Sequence, residues 1–145
     1  MKSELAALSS ALLKFHKELL FFQVSLAEKS DQRKFTPYEL LGLSLNDSRF
    51  QWLRKFSELI TQIDTITDDK ENKPFDGRAI FDEATKLISG ENSGIAKEYN
   101  LAIKTEPTLI TKLLEVKRTL AEIEPLVKSL HEAHVENQKK KHNLH

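Results

Sequence analysis

The sequence predicts an all-α protein, an up-and-down four-helix bundle with two short accessory helices. Three observations carry that reading. Apolar residues recur at steps of three and four along the chain, the spacing that lines one face of a helix. The four Gly and four Pro fall almost entirely where such stretches begin or end, as helix punctuation does. The last stretch repeats Leu109, Leu113, Val116, Leu120, Ile123, Val127, Leu130 and His134 in alternating steps of four and three, a heptad seam of the kind that packs at shallow crossing angles.

The same signals place each element in turn. Leu5, Leu8, Leu12, Phe15, Leu19, Phe22 and Leu26 predict a first long helix over about residues 3 to 30. Thr36-Pro37-Tyr38-Glu39 supplies an N-cap, a proline in the first turn and a capping-box glutamate for a short helix over about 37 to 45. Asp47 is the expected N-cap of the second long helix, whose face is Phe50, Leu53, Phe56, Ile60 and Ile63 and whose end falls near residue 66. Residues 67 to 76 are charged, poor in aliphatic side chains and stopped by Pro74, and so predict one long solvated, mobile loop. Asp76 then caps a third helix carrying Ile80, Phe81, Ala84, Leu87 and Ile88, which Gly90 ends, and a second accessory helix is expected over about 94 to 104. Thr105-Glu106-Pro107 opens the fourth long helix. Pro125 falls opposite its seam, where water replaces the lost hydrogen bond. Beyond Glu136 nothing remains to bury. The expected organisation is therefore a helical-bundle domain over residues 1–138 and a disordered basic tail over 139–145.

Composition narrows the function classes. The 22 Lys and Arg cancel the 22 Asp and Glu, so no net field draws the chain to nucleic acid or anionic lipid. The absence of Cys removes disulfides, thiolate metal sites and cysteine nucleophiles, and fits a reducing compartment. Residues Met1 to Phe22 are Leu-rich but interrupted by Glu4, Lys14, His16, Lys17 and Glu18, so no apolar run approaches the about 20 residues of a membrane span. The expectation is a cytoplasmic chain with no signal segment, no membrane contact and no nucleic-acid partner.

The pattern Leu12-Leu13-x-x-His16-Lys17-x-Leu19-Leu20 is followed by Pro37-x-Glu39-Leu40-Leu41-x-Leu43-x-Leu45-x-Asp47-x-x-Phe50-x-Trp52-Leu53-Arg54, and then by Ser57-Glu58-Leu59-Ile60-x-x-Ile63-Asp64. It resembles a family of small uncharacterised bacterial helical proteins. The resemblance covers about residues 12 to 64. It implies a bacterial origin and a helical bundle, and carries no activity.

Candidate chemistry lies mainly on the first two long helices. Ser9, His16 and Gln23 stand seven residues apart within the apolar arc of the first helix, and Ser57 and Asp64 form a similar pair at the edge of the second helix's apolar face. Antiparallel packing of the two would gather these five into a small buried polar site. A carboxylate such as Asp64 beside His16 would fix one imidazole tautomer and raise its pKa. The plainer reading is a set of hydrogen bonds that fixes helix register. Trp52 and Arg54 form a candidate partner contact, although a tryptophan on the flank of an apolar face more often seals a core.

Metal and cofactor chemistry has little to stand on. No His is preceded three residues earlier by the Glu of a ferritin-like site. His131 and His134, like His142 and His145, have spacing that reaches one metal ion but lack further ligands. Lys139-Lys140-Lys141 is too short to specify an anionic surface. Nucleotide loops, nucleophile elbows and zinc-protease motifs are all missing. The expected function is thus a non-enzymatic bundle that requires no cofactor and acts through a protein partner or as a homodimer. A ligand-binding or enzymatic bundle around His16 and Asp64 is the alternative.

Overall fold

The computed structural model describes the backbone of residues 1–143 and the side chains of residues 1–129. Helices account for the regular structure of these residues: α1 (Lys2–Asp31), α2 (Pro37–Asn46), a 3₁₀ segment (Ser48–Leu53), α3 (Arg54–Thr67), α4 (Gly77–Ile88), α5 (Ala96–Thr105) and α6 (Thr108–Asn143).

Local chemistry sets most of the ends. Gln32 closes α1 in the left-handed region at φ 54°, its N–H donating to the Glu28 carbonyl. At the start of α2 the Thr36 hydroxyl accepts from the Glu39 N–H while the Glu39 carboxylate accepts from the Thr36 N–H, a complete capping box followed by Pro37. The Asp76 carboxylate accepts from the Ala79 N–H at 3.0 Å and opens α4. Past the end of α4 the chain turns at Gly90, whose φ of +80° lies in the left-handed region that favours glycine. The connection between α3 and α4 is organised by Asp69, whose carboxylate accepts from the N–H groups of Glu71 and Lys73. Lys2 reaches from α1 to donate to the Asp69 carbonyl and the Asn72 side chain.

Two boundaries differ from expectation. Asp47 does act as an N-cap, accepting from the Arg49 N–H at 2.9 Å, but it opens the 3₁₀ segment rather than the α-helix. The tighter winding of about three residues per turn eclipses positions three apart, which sets Phe50 and Leu53 on one side, and Trp52 is buried beside them. The Arg49 guanidinium closes this corner against Asp31 and Asp47, which hold its pKa above the ordinary range. The last helix continues to Asn143, past the fraying point expected at Glu136 and through the backbone of the expected tail.

One apolar cluster runs through the molecule. It takes Leu5, Leu8, Leu12, Phe15, Leu19 and Phe22 from α1, Phe56, Leu59, Ile60 and Ile63 from α3, and the seam of α6 from Leu109 to Val127. Ile80, Ala84, Leu87 and Ile88 of α4 and Ile95, Tyr99 and Ala102 in and before α5 complete it. Packing joins α1 to α3 and α6, α4 to α3 and α6, and α5 to α1 and α6. At the centre the Phe56 ring stacks on Tyr99 with centroids 6.1 Å apart, and Phe15 meets both rings edge-on. Edge-to-face and offset pairs of this kind add stability beyond area burial. The buried Tyr99 hydroxyl donates to the Ile88 carbonyl at 2.8 Å and so satisfies an orphan group at the end of α4. Among the described residues no helix is long and apolar enough to cross a membrane.

Candidate functional site

The predicted polar line of α1 is distributed over three separate places. Ser9 and Gln23 are buried, at 5% and 6% exposure, and His16 between them is half-buried. The Ser9 hydroxyl donates to Asp64 Oδ1 at 2.5 Å. Trp52 Nε1 donates to Gln23 Oε1 at 3.0 Å. These two links join the start of α1 to the far end of α3, and the second half of α1 to the segment that precedes α3, so the two partners run antiparallel. One heptad spans about 10.5 Å along a helix, which leaves His16 midway and level with Ser57.

The expected His16–Asp64 pair is therefore not made, because Asp64 sits a heptad away and is engaged by Ser9. No carboxylate raises the imidazole pKa. Burial pushes it below its ordinary value of 6.5 instead, since the charged form is the poorer guest in an apolar surrounding. Ser57 is exposed and donates to the Arg54 carbonyl of its own helix at 3.0 Å. Asp64 is likewise largely at the surface. The predicted cluster is thus divided into a register contact at Ser9–Asp64, a second where Gln23 meets Trp52, a Ser57 bonded within its own helix, and between them an imidazole with no hydrogen-bond partner among the described residues.

Trp52 does not serve as a surface contact. It is 5% exposed, its ring meets Phe56 edge-on at 6.4 Å, and its N–H is spent on Gln23. Arg54 remains at the surface, donating to the Leu45 carbonyl and so satisfying an open group at the end of α2.

What His16 does line is an open groove of about 500 Å³ between α1, α2 and the start of α3. Leu20 of α1, Leu45 of α2, and Phe50 and Leu53 of the 3₁₀ segment give it apolar walls. Ser44, Arg54, Ser57 and Glu58 supply the polar remainder. Among the described residues, no hydrogen bond engages the His16 ring, while every fully buried side-chain N or O atom has a partner. No three His, Asp or Glu side chains among them converge to hold a metal ion. The side chains of His131, His134, His142 and His145, and of Lys139 to Lys141, lie outside the described residues.

The part of this surface not singled out from the sequence is α2. None of its residues is buried. Tyr38, Leu41 and Leu45 project from one side at 87%, 59% and 55% exposure. The signal was present as i, i+3, i+7 spacing, but such spacing ordinarily marks a buried stripe, and only the packing shows that nothing covers this one.

No protein-family model matches the chain, and neither does any of the curated proteins or solved structures compared with it.

Proposed function

We propose that the chain is a non-enzymatic helical bundle that works by binding a protein surface, either another protein's or its own. In this reading α1, α3, α4 and α6 form an up-and-down four-helix bundle. The antiparallel links between α1 and α3 and the closed sequence of contacts from α1 to α3, α4, α6 and back to α1 support that arrangement. The observation that carries the function is the uncovered apolar face of α2, Tyr38, Leu41 and Leu45, on a helix that buries none of its own residues. Apolar side chains grouped on one exposed face mark an interaction site more often than scattered ones do.

A photo-crosslinking residue placed at position 38 in the living host tests the reading. A discrete crosslinked protein product is expected there and not from the exposed position of Glu83 on α4. Equal, diffuse labelling at both positions would remove the support. A second reading, a small-molecule site in the groove, is favoured by the His16 ring, which has no hydrogen-bond partner among the described residues, beside apolar walls. It predicts a co-purifying small molecule in native mass spectra that is lost with His16→Leu.

A further inference from the structure

We propose that the groove beside His16 binds a free apolar α-amino acid, with its carboxylate on Arg54, its ammonium on Glu58 and its side chain against Leu45, Phe50 and Leu53. This deepens the reading of the groove as a small-molecule site and rests on it.

The charges at the mouth of the groove are the first indication. Arg54 and Glu58 both line it and stand one turn apart on α3, the i, i+4 spacing at which opposite charges ordinarily pair. Here no ion pair joins them, and among the described residues neither meets another charged group. The Arg54 guanidinium instead reaches across to donate to the Leu45 carbonyl, which uses one N–H of its fork and leaves the others for a ligand. Two opposite charges on one rim match a molecule that carries both. A simple anion would face the Glu58 carboxylate and a simple cation the Arg54 guanidinium, so each meets repulsion as well as attraction.

Spacing and donor geometry narrow the class of zwitterion. A helical turn rises about 5.4 Å, so a ligand whose carboxylate and ammonium share one carbon reaches both side chains with a hydrogen bond at each end. The planar guanidinium takes the two oxygens of a carboxylate together, and the Glu58 oxygens accept from the ammonium.

Below these charges the groove turns apolar. Leu20 and Leu45 form its sides, and the buried rings and methyls of Phe50 and Leu53 form its floor. Its volume of about 500 Å³ admits an aliphatic or aromatic side chain, whereas a charged one would find no partner on that floor. The His16 ring has no hydrogen bond among the described residues. Burial favours its neutral form, which has one nitrogen to donate to the ligand carboxylate or one to accept from the ammonium. It does either without adding a charge to a rim that is already balanced.

Titration calorimetry of the full chain with leucine, phenylalanine, glycine, N-acetylleucine and leucinamide tests this. Leucine or phenylalanine is expected to bind with a dissociation constant below about 1 mM. Glycine, which lacks the apolar side chain, and N-acetylleucine and leucinamide, which each lack one charge, should bind about tenfold more weakly or worse. Arg54→Gln and Glu58→Gln should each weaken leucine about tenfold with unchanged circular dichroism, since both positions are exposed. Amide resonances of Ser44 and Leu45 should shift as leucine is added. No binding of either amino acid up to about 10 mM overturns the proposal. So does leucine binding that is indifferent to both substitutions, or N-acetylleucine or leucinamide binding as tightly as leucine. A co-purifying molecule of another class that is lost with His16→Leu, found where neither amino acid binds, overturns it while leaving the small-molecule reading standing. A groove empty in both experiments removes both.

Discussion

α2 and α3 are neighbours of similar length whose stability comes from opposite sources. α2 has ten residues, a complete capping box, a proline in its first turn and no buried side chain. α3 has 14 residues and no side-chain cap at its start, and it is rich in β-branched Ile and Thr, which helices disfavour. It nevertheless buries Phe56, Leu59, Ile60 and Ile63 against α1 and α4. One helix is specified by its ends and the other by its face. α2 leans on the core only through the partly buried Leu43, and Tyr38, Leu41 and Leu45 on its other side stay exposed.

Perturbing each source separately breaks or sharpens this contrast. Phe56→Ala should have the largest effect, about 3–5 kcal/mol of lost stability, read as a fall in the urea midpoint of global unfolding. Gln23→Leu should cost less, about 1–3 kcal/mol, because it strands the buried Trp52 N–H; a changed tryptophan emission before unfolding would accompany it. Thr36→Ala should cost α2 about 1 kcal/mol. The loss should appear as faster amide exchange confined to residues 37–46, with exchange in α3 unchanged. If the global midpoint moved as far as for Phe56→Ala, α2 would be part of the core and the contrast would be wrong.

The smallest effects concern the groove and the open face. His16 binds a proton less readily in the folded chain than in the unfolded one, where its pKa is near 6.5. Its contribution is therefore fully present above that value and is lost as pH falls through it toward the lower folded pKa. Arg54 and Glu58 share the groove with it. His16→Gln should flatten the pH dependence of the urea midpoint between about pH 8 and 5.5. Leu41→Ser, at an exposed position, should change the stability of the single copy by no more than about 0.5 kcal/mol. A larger loss at low concentration would mean that the face already packs within one chain.

Much of the fold was legible because helix signals are local. Thr36 and Glu39, Asp76 and Gly90 act within a turn of where they stand, and the elements they delimit fall within a few residues of expectation. The winding of Ser48–Leu53 was not legible, since an α-helix and a 3₁₀ helix share the Asp47 cap and differ only in how Phe50, Trp52 and Leu53 best meet the core. The candidate site was legible in part. The inward arc of Ser9, His16 and Gln23 could be placed on one helix, but their partners lie 55 residues away for Ser9 and 29 for Gln23. A register shift of one heptad decides whether Asp64 meets Ser9 or His16.

The sequence by itself determined that this chain is helical, where most helices begin and end, and which face of each long helix is apolar, because periodicity and capping are properties of a few consecutive residues. Tertiary structure alone decided that Asp64 serves Ser9, that Trp52 serves Gln23, that His16 is left facing a groove and that the stripe on α2 stays uncovered. Those outcomes depend on how far one rod slides along another and on how many apolar faces the core has room to accept, and neither quantity is written in any one segment.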